Sequence, residues 1–342
     1  MIARSPQVLE TVHWREQLRD AYRDPRALLT DLGLDAAALG LAAPSNFPFR
    51  VTRCFAARMG QGDAHDPLLR QVLPLTAEDH EVNGYSADPL AETTLFAAGS
   101  LIQKYRARAL LIVTGACAIH CRYCFRREFP YSGSVGASAL AAAVASIAAD
   151  QTLTEVILSG GDPLVLGDTA LAALCNQLAA IPHLQRLRIH SRLPVVLPAR
   201  ITPRLLEVLA GGRLQPVLVM HANHAAEIDD EVRAVLAACR RAGVTLLNQT
   251  VLLRGVNDNA ATLARLCETL FAAGVLPYYV HLLDRVRGTA HFDVSANRAA
   301  DLERELRALL PGYLVPRFVR EVPGATSKLP LADLGTAEIC AS

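Results

Sequence analysis

The spacing of apolar positions gives the first outline of the chain. Over residues 12–32 they recur at helical period, with Trp14, Leu18, Tyr22 and Leu28 on one face, which predicts a helix there. The rest of the first hundred residues is irregular, broken by Pro and Gly as far as Gly99. From about residue 108 the texture changes. Short β-branched runs predict strands at 109–114, 155–159, 186–190, 216–221, 245–249 and 278–283. Amphipathic segments predict helices at 138–149, 168–180, 203–210, 227–242, 260–273 and 298–310. Six strands, each followed by a helix, read as a parallel α/β arrangement. Six repeats are too few to close an eight-stranded barrel, so an open, partial (β/α)6 barrel is expected. Residues 1–100 would be a helical and irregular N-terminal extension packed on a core at 101–335. In such barrels the chemistry sits at the C-terminal ends of the strands.

Composition narrows the function classes. A net charge of +1 gives no electrostatic case for nucleic acid or for an anionic membrane surface. The longest apolar stretches, such as residues 139–149, are too short and too rich in Ala and Ser to span a bilayer. The N-terminus has no apolar run of the secretory kind, so a cytoplasmic location is expected, where structural disulfides are rare. The eight Cys then read as buried thiols, metal ligands or catalytic groups. Of the 34 basic residues only Lys104 and Lys328 are lysine. Chemistry that needs a primary amine therefore has two side chains to use.

The strongest motif is Cys117-Ala-Ile-His-Cys121-Arg-Tyr-Cys124, directly after the first predicted strand. Three thiolates this close suit zinc, but a structural zinc site wants four ligands, and only His120 lies in the loop as a fourth. A [4Fe–4S] cluster also normally takes four Cys; a three-Cys site leaves one iron open for a cofactor or substrate. The spacing, with Tyr123 before the last Cys, resembles the radical S-adenosylmethionine (SAM) signature. The second strand ends in Ser159-Gly160-Gly161-Asp162-Pro163, in isolation a tight βα turn. Beside the cysteine loop it resembles the superfamily's glycine-rich motif, where backbone and acidic residue meet the methionyl amino group of SAM. Lys328 lies in a Gly/Ser turn after an apolar stretch at 314–319, where a solvated lysine is the plain reading. A lysine also forms a Schiff base with pyridoxal phosphate (PLP), which then acts as an electron sink. Lys104 lies among Tyr105, Arg106 and Arg108, basic groups suited to phosphate.

Together, Cys117 to Arg127, the Gly-Gly-Asp turn and the Pro-Gly-x-x-x-Lys tail resemble the lysine 2,3-aminomutases, over nearly the whole chain. Residues 189–202 and 248–258 look like text of the same family. Asn46-Phe-Pro-Phe-Arg50, Asp66-Pro-Leu-Leu-Arg70 and the short C-terminus resemble its short bacterial branch. That branch supplies β-lysine, in the R form, to a ligase that modifies elongation factor P. The resemblance implies an isomerase that moves the amino group of free L-lysine from C2 to C3. A SAM-derived 5′-deoxyadenosyl radical takes the hydrogen from C3 while PLP holds the substrate. Self-association is left open.

Roles carry over residue by residue as implications of the resemblance. Cys117, Cys121 and Cys124 would hold three irons, with SAM on the fourth. Gly160, Gly161 and Asp162 would hold the methionyl part, and His221 and Gln249 would stand near SAM. Lys328 matches the PLP lysine, and Lys104, Tyr105 and Arg108 match a set facing its phosphate. Arg126 matches the arginine that takes the substrate carboxylate. Asp284 and Glu321 match two acids that grip the ε-ammonium. The longer members of the family typically have Asp at the position of Glu321; the added methylene shifts the carboxylate by about 1.5 Å. Asn259 stands where longer members carry a zinc-site Cys, so no structural zinc is expected. Cys54, Cys175, Cys239 and Cys267 read as buried small hydrophobes. A glutamate-specific aminomutase would want a cation where Asp284 and Glu321 stand, and a non-enzymatic metal-binding module would have no use for Lys328.

Overall fold

The computed structural model describes residues 6–98, 100–131 and 135–334; Cys340 lies outside them. Ten strands form one sheet whose spatial order follows the chain, β1 to β10. The parallel body runs through β3 (Arg108–Thr114), β4 (Glu155–Gly160), β5 (Arg186–Ser191), β6 (Gln215–His221), β7 (Thr245–Val251), β8 (Leu276–His281) and β9 (Arg317–Arg320). The six predicted strands are β3 to β8, displaced by at most two residues at any end. Every residue of β4 is buried, as befits a strand covered on both faces. The sheet curls but does not close, because β1 and β10 are not hydrogen-bonded to each other.

Four strands were not anticipated. β1 (Phe96–Ala98) and β2 (Leu101–Tyr105) add antiparallel to β3, while β10 (Leu329–Pro330) turns back antiparallel on β9. β1 has three residues and β10 has two, too few to show an alternating pattern. β9 lies in the apolar stretch that precedes Lys328. The sheet is thus a seven-stranded parallel body with an antiparallel hairpin arm at each edge.

The predicted helix at 12–32 is two helices, Pro6–Arg19 and Pro25–Asp31. Proline disfavours helical backbone in the residue before it. Asp24 is accordingly extended at φ −120°, ψ 121°, and its side chain caps the second helix by accepting from the Arg26 amide at 2.9 Å. The extension shares one core with the barrel: Trp14, Leu28, Phe55 and Leu69 lie in the same buried cluster as Leu158, Leu193 and Leu218. The Arg200 guanidinium sits over the Trp14 ring at 4.8 Å. Among the described residues no helix is long and apolar enough to cross a membrane.

Candidate active site

The barrel lumen holds a cavity of about 420 Å³, and every residue singled out above as a candidate lines it. Cysteine-loop residues close one end, directly after β3. Gly160 ends β4, His221 ends β6 and Gln249 lies near the end of β7. Asp284 follows β8 and Glu321 follows β9. The basic set lies elsewhere. Tyr105 and Arg108 pair across the hairpin that starts β3. Six residues of strand separate Arg108 from Thr114, about 20 Å at 3.3 Å per residue. The cavity therefore runs down the lumen, from the C-terminal strand ends to the start of β3. Arg108 rests on the Tyr105 ring at 4.6 Å.

Gly160 and Gly161 are required by close approach. Gly160 has φ 123°, and a Cβ there would run into the Thr114 carbonyl oxygen; one on Gly161 would run into that of Ala116. The two glycines let the turn after β4 lie directly against the start of the cysteine loop. Asp162 braces this arrangement. Its Oδ1 accepts from the Ser191 hydroxyl (2.7 Å) and the Leu164 amide (3.1 Å). Its Oδ2 accepts from the amides of Arg192 (2.7 Å) and Leu193 (3.2 Å). Two carboxylate oxygens offer about four acceptor positions, and all are used inside the chain. Asp162 thus orders the turn from within the chain. Burial pushes its carboxyl up to about 6, against the pull of these donors.

None of the three loop cysteines forms a disulfide. Burial pushes the Cys117 thiol well up and Cys124 up to about 11, and the neighbouring thiols add to both shifts. Among the described residues no three His, Cys, Asp or Glu side chains converge where one metal ion would sit. A cluster makes no such demand, because each thiolate binds its own iron. His221 accepts from Gln249 Nε2 at 2.8 Å, and burial lowers its imidazole to about 3, so it is neutral.

The charged groups form a chain in which signs alternate. Arg126 grips Glu92 with Nε (2.7 Å) and Nη2 (3.0 Å), and its Nη1 donates to Ser159 Oγ at 2.9 Å. Lys104 bridges Glu92 (3.0 Å) and Glu321 (2.7 Å), and Glu321 also pairs with Lys328. Since Lys104 belongs to β2 and Glu321 follows β9, this chain spans the open side of the curled sheet. Burial alone would raise the Glu321 carboxyl; Lys328 and Lys104 outweigh it and hold it well below the usual carboxylate range. Asp284 differs. Among the described residues it has no ion pair, and burial with the nearby Glu321 charge pushes it up to about 7. One edge of the Arg126 fork is thus already filled by a carboxylate of the chain, and the Nη1–Nη2 edge faces the cavity wall at Ser159.

Sequence reasoning missed several lining residues. Glu92 is 3% exposed, in a single turn after Ala91, whose φ of 51° is unusual for a non-glycine residue. The turn is held by Asp88, which accepts from the Glu92 and Thr93 amides, each at 2.9 Å. Nothing periodic marks it. His190 and His281 also face the cavity, each with an Nε2 that finds no hydrogen-bond partner among the described residues. Orphaned buried imidazole nitrogens suit a lumen meant to enclose a polar molecule.

A three-thiol loop after the first parallel strand of an open barrel, packed against a glycine turn on the next strand, is the layout of radical SAM enzymes. Residues 111–267 match the Radical SAM superfamily model, whose members use a [4Fe–4S] cluster and SAM. Curated relatives narrow the class. The chain is 52% identical over 322 residues to "L-lysine 2,3-aminomutase" of Escherichia coli K12, covering 93% of this chain and 94% of that one. It is 44% identical to the Haemophilus influenzae protein of that name, covering 97% and 99%. Against the Clostridium subterminale protein of that name it is 36% identical, covering 82% of this chain and 68% of the longer relative. The chain belongs to the lysine 2,3-aminomutase family of radical SAM enzymes, and it is an isomerase.

Proposed function

We propose that this protein converts L-α-lysine to (R)-β-lysine with a [4Fe–4S] cluster, SAM and PLP, and that the product serves to modify elongation factor P. The observation that carries the reading is that one cavity joins the three-thiol loop to Lys328, through a lumen that Asp284, Glu321 and a basic set line. Cys117, Cys121 and Cys124 would hold the cluster, while Gly160, Gly161, His221 and Gln249 would line the SAM site. The cluster and SAM supply the radical that removes hydrogen from the substrate. Lys328 would hold PLP covalently, with Lys104, Tyr105 and Arg108 as candidates for its phosphate, and PLP when bound would supply an electron sink.

The chain's own residues bind and orient. Among the described residues Asp284 has no ion pair, and it would take the ε-ammonium; Glu321 would share it by loosening its hold on the two lysines. The Arg126 edge not held by Glu92 would receive the substrate carboxylate, a planar match. A lumen filled by the substrate and its cofactors would keep water from reactive groups. Two acids at the ammonium end disfavour a glutamate substrate.

The test is anaerobic reconstitution of the cluster, then PLP, SAM, reductant and L-lysine. β-Lysine should form, L-glutamate should not react, and Lys328→Ala should lose both product and the visible PLP absorbance. Unreduced product from Lys328→Ala would overturn the assignment. With the lysyl ligase and elongation factor P added, the factor should gain the mass of one lysyl residue.

A further inference from the structure

Arg192 is 5% exposed and is not among the residues assigned above. It joins the two halves of the site by different atoms. Its amide donates to Asp162 Oδ2 at 2.7 Å, fixing it to the glycine turn. Its Nη1 donates to Cys121 Sγ at 2.7 Å. Its Nη2 donates to Gln71 Oε1 (2.7 Å) and Glu227 Oε2 (3.0 Å). Glu227 is itself fully buried, and its other oxygen accepts from Gln71 Nε2 at 3.1 Å and the Asn223 amide at 2.8 Å. The guanidinium also lies over the Phe55 and Tyr123 rings at 5.3 and 5.7 Å. It has no freedom to turn away from the sulfur.

We infer that Arg192 is a positioning residue that raises the reduction potential of the cluster through its charged hydrogen bond to Cys121. The inference rests on the reading of Cys121 as a cluster ligand. The step is one-electron: a low-potential donor gives up one electron and the cluster becomes one unit more negative. A cation donating to a ligand sulfur stabilises the more negative state, and hydrogen bonds to sulfur are among the factors that set such potentials.

Arg192→Met removes charge and donor. Arg192→Lys keeps the charge without the fork that reaches Cys121, Gln71 and Glu227 together. Glu227→Gln keeps the guanidinium but loosens its brace. The reconstituted proteins are assayed for iron and then titrated with dithionite and mediators while the electron paramagnetic resonance signal is followed. Arg192→Met should bind wild-type iron yet show about a tenfold smaller reduced-to-oxidised ratio at fixed potential, a downward shift of about 59 mV. Arg192→Lys and Glu227→Gln should fall between it and wild type. Should Arg192→Met fail to hold iron, those two decide the matter by the same shift. An unmoved midpoint in iron-replete variants overturns the inference. Wild-type protein that binds no more iron than Cys121→Ala overturns the ligand reading instead.

Discussion

Glu92→Gln isolates the contribution of the buried charge chain. The side chain of Glu92 is 3% exposed and takes three charged donors: Arg126 Nε at 2.7 Å, Arg126 Nη2 at 3.0 Å and Lys104 Nζ at 3.0 Å. Burial alone would raise its carboxyl, yet Arg126 and Lys104 hold it below the usual range, so it is ionised at neutral pH. Gln preserves the shape but places an amide N–H against a donor, leaves Arg126 facing no carboxylate and leaves Lys104 only Glu321, which it shares with Lys328. Removing one partner of a buried pair costs about 3–5 kcal/mol, because the other charge stays buried without compensation. Urea unfolding of the protein without PLP, followed by circular dichroism, should show that loss as a lower midpoint at unchanged slope. The deficit should shrink when PLP or inorganic phosphate is present, since a phosphate returns negative charge to Lys104. A loss under about 1 kcal/mol, the value of an exposed pair, would refute the view that this pair holds the cavity wall.

Two further expectations concern pH and the glycine turn. Asp284 is raised to about 7 in the folded protein, above the ordinary Asp value of about 3.9. Its neutral form therefore stabilises the ligand-free fold; that contribution is full below about pH 4 and is lost as pH rises through about 7. An ammonium bound beside it prefers the ionised form, so the KM for lysine should fall between about pH 6 and about pH 8. Asp284→Asn should raise KM and flatten that profile; an undiminished slope would remove Asp284 from the role. Gly160→Ala should lower the thermal midpoint, with backbone strain of about 1–3 kcal/mol, and weaken SAM binding by equilibrium dialysis at least tenfold. Gly33→Ala is the control, since Gly33 also has positive φ (69°) but open space around it; equal effects of the two would show that strain, not the Thr114 contact, matters.

The parallel body was legible because buried strands and capped helices leave local marks. β4 is apolar along most of its length, and Asp229, Asn259 and Ser295 each accept from an amide in the first turn of the helix that follows. The hairpin arms left no such mark: β1 and β10 are too short to show an alternation, and only Arg106 and Ala107 separate β2 from β3. The break at Pro25 was readable in principle, but the apolar periodicity that continues across it outweighed the proline. In the site, motif residues were legible because cluster and cofactor chemistry demand particular residue types at fixed spacing. Glu92 and Arg192 were not, because their roles arise only when distant segments meet. Glu92 is an isolated acid in an irregular stretch, and Arg192 is one of 32 arginines.

The alternation Arg126, Glu92, Lys104, Glu321, Lys328 also bears on why the site tolerates Glu at position 321. A buried carboxylate facing two lysines is already satisfied, so the longer side chain does not leave a charge stranded when no substrate is present. Its reach toward Lys104, on a strand at the far edge of the sheet, closes the open side of the lumen electrostatically where no backbone pairing does. An arriving zwitterion and a phosphate must then exchange with internal partners, and the net gain is the difference between two sets of ion pairs rather than the full strength of either. Among the described residues Asp284 adjoins this chain without an ion pair of its own, and Lys328 and Lys104 only partly offset the burial that keeps it in the neutral form below about pH 7.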